Sequence, residues 1–258
     1  MEGKHLVVTG ATQGVGAAVA LLAAQRGARA MTITGRNPAQ GEAMVAKLKD
    51  HGTEALFVAA DLAGVKDCFA VIDRALETFG PIDSLVNCAG KTDRGTIDDT
   101  SEELFDSLFA VNVRAPFFLC QRAMPSLRAQ HGTVVNIISI AAHGGQPFIS
   151  AYCASKGALA TLTRNMAGAL RWDRVRINGL NIGWTDSPGE NNIQRTYHNQ
   201  SADWLAKSEA KQPFGRLIKP DEIARAVMFL ASEESGLMTG AVIDFDQTIL
   251  GTIDDNPR

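Results

Sequence analysis

Cysteine is scarce in this chain: Cys68, Cys88, Cys120 and Cys153 stand far apart, with no CxxC pair and no Cys/His ligand set. That spacing excludes a disulfide framework or a zinc ribbon and fits free thiols in a reducing compartment. No second histidine or paired carboxylate accompanies His143, so no metal site is expected there. Basic runs are also missing. Lys+Arg number 25 against 28 Asp+Glu, a net charge of −3, so the footprint of a nucleic-acid binder is absent. Long apolar runs are missing too. The alanine-rich stretch from Ala17 to Ala24 falls far short of the roughly 20 residues that span a bilayer. Met1-Glu2-Gly3-Lys4 leads into a strand-like run rather than the apolar centre of a signal peptide. These absences predict a cytoplasmic protein whose partner is a small molecule, with no nucleic acid and no membrane.

What is present suits one large α/β domain spanning residues 1–258, with 45% apolar residues for its core. Apolar β-type runs at His5–Thr9, Ala30–Thr34, Ala55–Ala59, Ser84–Asn87, Thr133–Ser139, Val175–Leu180 and Ala241–Phe245 alternate with helical patterns near 15–26, 38–51, 65–79, 101–111, 114–129, 150–171 and 221–231. Alternation of this kind predicts a parallel sheet covered by helices on both faces. Strands buried on both faces are apolar at nearly every position, as these are. The expectation is a Rossmann-like three-layer sandwich with a seven-stranded parallel sheet. Residues 184–215 show no clear periodicity and carry Pro188 and Gly189, which reads as a loop over a site or along the surface.

The first strand runs into Thr9-Gly10-Ala11-Thr12-Gln13-Gly14-Val15-Gly16 and then a helix. A tight turn that brings backbone close to a pyrophosphate at a helix N-terminus needs glycine, so Gly10, Thr12, Gln13, Gly14, Val15 and Gly16 are candidate dinucleotide contacts. The spacing is GxxxGxG rather than GxGxxG, and its context between strand and helix carries the assignment. At the end of the second strand an acidic residue would bind the ribose 2′-hydroxyl of NAD. Gly35-Arg36-Asn37 stands there instead. Arg36 suits a 2′-phosphate, which favours NADP, with NAD accepted if Arg36 is only a solvated surface charge.

The sharpest chemical signal is Ser139 followed by Tyr152 and Lys156. Tyr152 and Lys156 are four residues apart and share one helix face. Tyr152 is one of only two tyrosines in the chain. A nearby ammonium favours the phenolate, so Lys156 is expected to lower the tyrosine pKa and make a general acid/base. Ser139 ends the fifth strand, at the sheet edge where open α/β sheets bind ligands, and would hydrogen-bond a substrate oxygen.

The ordered set Thr9–Gly16, Asp61, Asn87-Cys88-Ala89-Gly90, Asn112, Ser139, Tyr152-Cys153-Ala154-Ser155-Lys156 and Asn181–Ser187 resembles the short-chain dehydrogenase/reductases over nearly the whole chain. That resemblance implies an NAD(P)-dependent oxidoreductase and adds roles. Asp61, with Leu62 beside it, would hold the adenine. Asn87, Ala89 and Gly90 would pack along the cofactor. Asn112 would kink its helix and complete a relay from Tyr152 through Lys156 to solvent, joining Ser139, Tyr152 and Lys156 as the catalytic set. Lys156 would also bind the nicotinamide ribose. Gly183, Thr185 and Ser187 would reach the nicotinamide amide, and a homodimer or homotetramer is implied, with helices 114–129 and 150–171 as contact surfaces. Two departures stand out. Ile182-Gly183 replaces the family's usual Pro-Gly, and Asp246-Gln247-Thr248 replaces Asp-Gly-Gly.

Ala141, His143, Gln146 and Phe148 lie between Ser139 and Tyr152, and Trp184 follows the sixth strand. With Ser139 and Tyr152, the residues Ala141, His143, Gln146 and Trp184 are candidate substrate contacts. His143 reads equally as a donor to a substrate hydroxyl or as a loop residue in water. Together with Gln146 it suggests a polar, hydroxylated substrate such as a sugar or polyol. The chemistry would interconvert a secondary alcohol and a ketone, or a hemiacetal and a lactone. Two rivals share the fold: a non-catalytic NAD(P) sensor or scaffold, and a lyase or epimerase using transient oxidation. No GxSxG elbow supports a hydrolase.

Overall fold

The computed structural model describes residues 1–251; the last seven residues of the expected 1–258 domain lie outside the described residues. Seven strands form one sheet in the order β3-β2-β1-β4-β5-β6-β7. The strands are β1 (His5–Thr9), β2 (Ala30–Gly35), β3 (Glu54–Ala59), β4 (Ser84–Asn87), β5 (Thr133–Ile137), β6 (Arg176–Ile182) and β7 (Val242–Phe245). Every neighbouring pair is parallel. The strand order reverses between β1 and β4, and in open parallel sheets that switch point opens a crevice at the C-terminal strand ends.

The two faces are covered by different helices. On one side Leu6 and Val8 of β1 and Met31 and Ile33 of β2 meet α1 (Gly14–Gln25), α2 (Pro38–Asp50) and α9 (Pro220–Ala231). On the other, Val7 meets α3 (Val65–Phe79), α5 (Ala115–Gln130) and α6 (Ser150–Leu170). Because alternate residues of a strand point to opposite faces, β1 must be apolar at consecutive positions. Each fully buried Leu, Val or Ile contributes about 1.5–3 kcal/mol.

Element bounds shift by a residue or two in several places, and three larger departures have local reasons. The fifth strand stops at Ile137 because Ser139 caps a short 3-10 turn, Ile140–His143, accepting from Ala141 N at 3.2 Å. The helical patterns at 101–111 and 114–129 are not separated by a break: α4 (Glu102–Phe109) passes into α5 through a π-helical turn, Ala110–Arg114. The stretch 184–215, expected to be a loop, contains α7 (Pro188–Thr196) and α8 (Trp204–Glu209). Ser187 starts α7 by accepting from Glu190 N at 3.1 Å, with Pro188 in the first turn.

Candidate functional site

The cradle at the end of β1 is built from backbone. Gly10 and Gly14 adopt φ of +63° and +58°, a region open to glycine at little cost. A Cβ on Gly16 would lie 2.4 Å from the Gly10 carbonyl oxygen, so the helix start and the turn touch through bare backbone. No side chain caps α1 at Gln13, and its first turn holds no acidic residue. Its first N–H groups and the positive end of its dipole therefore face the crevice, as a pyrophosphate requires. Thr12 packs against Gly35, where a Cβ would stand 2.6 Å from the threonine methyl. Any side chain at position 35 would displace Thr12, so the missing acidic residue has a steric reason. Arg36 beside it is exposed and forms no ion pair among the described residues. Asp61 is exposed past the end of β3, its carboxylate accepting from Ala63 N at 3.1 Å, and Leu62 is buried.

The floor is polar and cross-linked. Ala89 N donates to Thr9 Oγ1 at 3.0 Å, tying the turn after β4 to β1. Asn87 Nδ2 donates to Asn136 Oδ1 at 2.8 Å, and Asn136 Nδ2 donates onward to Thr163 Oγ1 at 2.9 Å. Asn87 Oδ1 is buried with no hydrogen-bond partner among the described residues, an acceptor left open. Opposite the cradle, the Ser187 Cβ lies 3.7 Å from where a Cβ on Gly14 would stand, and Gln13 Nε2 lies 3.9 Å from the same point on Gly189. The start of α7 thus closes on the glycine turn. Thr185 is buried, its hydroxyl donating to Gly183 O at 2.9 Å. Gly183 has no room for a side chain, because the Asp246 carboxylate fills that space.

Ser139, Tyr152 and Lys156 come together at the C-terminal end of β5. The Ser139 hydroxyl hydrogen-bonds Tyr152. Lys156 is only 4% exposed, sits 5.8 Å from the Tyr152 ring centre, and donates to Ile137 O at 2.9 Å. Asn112, fully buried in the π-turn, accepts from Lys91 N at 2.9 Å and donates to Lys91 O at 2.9 Å and Ser155 Oγ at 3.0 Å. A Cβ on Gly90 would lie 3.6 Å from both Asn112 Oδ1 and Lys156 Nζ, so these two polar ends flank the same glycine.

The Tyr152 hydroxyl pKa is raised, not lowered as the neighbouring ammonium predicted. Burial pushes the Tyr152 hydroxyl up to about 12, outweighing the Ser139 hydrogen bond and the Arg94 charge, which pull it down. Burial also drives Lys156 down to about 8. Tyr152 is therefore a protonated acid at neutral pH rather than a ready phenolate, and Lys156 is near half-ionised around pH 8.

Around this centre, Ala141 is buried and Gln146 is exposed with no side-chain hydrogen bond among the described residues. His143 Nε2 lies 3.0 Å from Asp244 Oδ1 and 3.0 Å from Asn181 Nδ2, which ties it to β6 and β7. Trp184, 38% exposed, stacks on buried Trp204 and donates to Glu190 Oε1 at 2.8 Å. Gln247 accepts from Phe214 N at 3.0 Å and donates to Arg216 O at 2.9 Å, so the C-terminal departure anchors the segment before α9. Arg94 and Glu190, whose charges act on Tyr152, were not among the expected site residues. No motif marks either of them.

The family model described as Enoyl-(Acyl carrier protein) reductase matches residues 10–247. The chain belongs to the short-chain dehydrogenase/reductase family. An uncharacterized oxidoreductase of Thermotoga maritima is 38% identical over 95% of this chain and 96% of its own length. The 2-(S)-hydroxypropyl-CoM dehydrogenase 3 of Xanthobacter autotrophicus is 34% identical over the same shares. The structure of L-sorbose reductase from Gluconobacter frateurii, complexed with NADPH and L-sorbose, superposes with a TM-score of 0.90 over 98% of each chain at 26% identity. The chain is accordingly an oxidoreductase that uses a nicotinamide cofactor, as the sequence motifs implied.

Proposed function

We propose that residues 1–258 act as one catalytic domain that interconverts a secondary alcohol and a ketone, or a hemiacetal and a lactone, on a small polar substrate of the sugar or polyol class, with NADP(H) preferred. The observation that carries this reading is the Ser139–Tyr152 hydrogen bond with Lys156 buried on the same helix face. The similarity to an L-sorbose reductase bound to NADPH supports the substrate class and the cofactor.

Gly10, Thr12, Gln13, Gly14, Val15 and Gly16 would hold the cofactor pyrophosphate, and Arg36 the 2′-phosphate of its adenosine ribose. Asp61 and Leu62 take the adenine end; Asn87, Ala89, Gly90, Gly183, Thr185 and Ser187 flank the nicotinamide half. A nicotinamide held there would supply or accept the hydride. In reduction Tyr152 gives its proton to the substrate oxygen, and in oxidation it takes that proton back. Ser139 orients the same oxygen. Lys156 holds the ribose and restores the Tyr152 proton, and Asn112 fixes the Lys91 backbone beside it. Ala141, His143, Gln146 and Trp184 shape the substrate end. In this reading the protein is cytoplasmic and assembles as a homodimer or homotetramer through α5 and α6, where Phe117 is exposed on α5.

The test follows absorbance at 340 nm over a panel of sugars, polyols and simple ketones with NAD and with NADP. Tyr152→Phe should lower turnover at least about 1,000-fold while cofactor binding stays within a few-fold. Unchanged turnover would remove Tyr152 from the mechanism, and activity confined to apolar ketones would overturn the substrate class.

A further inference from the structure

Three segments distant in sequence meet beside Tyr152. The chain after Gly90 runs to Gly95, which pairs with Ile149 in an isolated parallel bridge, and Gly95 N donates to Phe148 O at 2.9 Å. Ile149 precedes α6, so the bridge fixes Arg94 next to the helix start that carries Tyr152. The Arg94 guanidinium lies 5.7 Å from the Phe148 ring centre. His198, from the segment after α7, closes the third side, with its ring 5.2 Å from Phe148 and its Nε2 accepting from Arg94 Nε at 3.3 Å. Nη1 of Arg94 donates to Thr92 O.

None of these partners is a carboxylate. No carboxylate lies within ion-pair distance of Arg94 among the described residues, and the adjacent Asp93 is engaged by Lys91 at 3.0 Å. Nη2 donates to nothing among the described residues. A half-buried cation without a counter-charge is uncommon, because partial desolvation is normally offset by a paired anion. Phe148 and His198 hold the planar fork still, and a fixed guanidinium edge matches a carboxylate in two parallel hydrogen bonds. The Gly95–Ile149 bridge and the Phe148 contact place it beside the start of α6, which carries Tyr152, and its charge acts on the Tyr152 hydroxyl.

We propose that Arg94 is a specificity-determining residue that binds a carboxylate on the substrate, so that the preferred substrates are hydroxy- or oxo-carboxylates whose reacting carbon lies at Tyr152. This rests on the reading that Tyr152 is the proton-transfer residue, and it narrows the sugar or polyol class to its acid forms. Phe148 and His198 serve as positioning residues for the guanidinium.

The experiment uses matched pairs that differ in charge and hardly in shape: gluconate and gluconamide, lactate and lactamide, 3-hydroxybutyrate and its amide. Each is tested for turnover with NADP and for binding to the NADP-saturated enzyme by titration calorimetry. The native enzyme should favour at least one carboxylate over its amide by about tenfold or more. Arg94→Gln should erase that preference through a higher KM, with kcat nearly unchanged and the amide affected less than about threefold. Arg94→Lys should restore part of it. Equal treatment of acid and amide by the native enzyme, a preference that survives Arg94→Gln, or an equal loss on both members of each pair would overturn the proposal. Tyr152→Phe keeps the two readings apart. It should stop turnover on every pair and keep the acid preference in calorimetry. Persistent turnover there would remove the proton-transfer reading while leaving the Arg94 preference measurable by binding.

Discussion

The two ends of the crevice are made differently. At the β1–α1 end the recognition surface is backbone: Gly10, Gly14 and Gly16 bring chain segments together without side chains of their own, in a motif that is contiguous in sequence. At the Tyr152 end it is side chains held by distant segments: Arg94 by Phe148 and His198, His143 by Asn181 and Asp244, Trp184 by Trp204 and Glu190. A backbone site tolerates little change at its glycines, because a Cβ on Gly10 or Gly16 meets main chain and Gly14 holds a φ of +58°. A side-chain site can be altered one group at a time, which suits an end that selects among substrates.

That contrast can be broken in graded steps. The largest effect is expected at Gly16. In Gly16→Ala the new methyl would press on the Gly10 carbonyl, whose oxygen lies 2.4 Å from its position. Cofactor affinity should fall at least about 100-fold, read by fluorescence titration with NADPH. Unchanged affinity would show that the cradle backbone can yield.

Lys156 comes next. Burial holds it at about 8 against an ordinary 10.5, which at about 1.4 kcal/mol per pH unit costs about 3 kcal/mol when it is charged. Because the folded pKa is the lower one, the cost is full below about pH 8. It fades as pH rises from 8 to 10.5, where the native state sheds its proton first. Lys156→Met should therefore be more stable than the native chain by about 2 kcal/mol at pH 7, after the lost bond to Ile137 O, with little advantage left near pH 10.5. Urea unfolding at both pH values checks this, and a gap independent of pH would rule out desolvation of the ammonium as its source.

Arg36→Gln should cut the preference for NADPH over NADH by about tenfold, since it removes one exposed charge-assisted contact. Equal loss with both cofactors would place Arg36 outside the 2′-phosphate site. The smallest effect belongs to His143→Ala. The His143–Asp244 contact is largely solvent-exposed, so thermal unfolding should move by only a degree or two. A larger shift would mean that this contact couples the 3-10 turn to β7.

Much of the fold and of the backbone end was legible because its signals are local. Strand-turn-helix with glycines at Gly10, Gly14 and Gly16 is read within a dozen residues, and Tyr152 with Lys156 within one helical turn. α7 was missed although Ser187-Pro188-Gly189-Glu190 carries a helix-start signature; the polar run Glu190-Asn191-Asn192 hid the apolar period that would have confirmed it. The Tyr152 pKa was misjudged because the i, i+4 rule supplies a neighbour but not the degree of burial that outweighs it. Arg94 escaped notice because what distinguishes it is the lack of an anion nearby, and no sequence pattern records an absence in space.

The π-helical turn at Ala110–Arg114 carries a consequence for how the chain can change. One α-helical residue advances the helix by about 100°, and the π-turn holds one residue more than a regular turn would. Deleting any residue of Ala110–Arg114 would remove the extra residue and put α4 and α5 in one α-helical register, with Pro116 inside it. Everything before the deletion would then be rotated by about a quarter-turn relative to everything after it. Asn112 would swing off the Lys91 backbone, or the face of α5 that packs on the sheet would turn toward water. Chain length in this turn is thus counted to the residue: a substitution leaves the phase of the helix intact, whereas an insertion or deletion resets it.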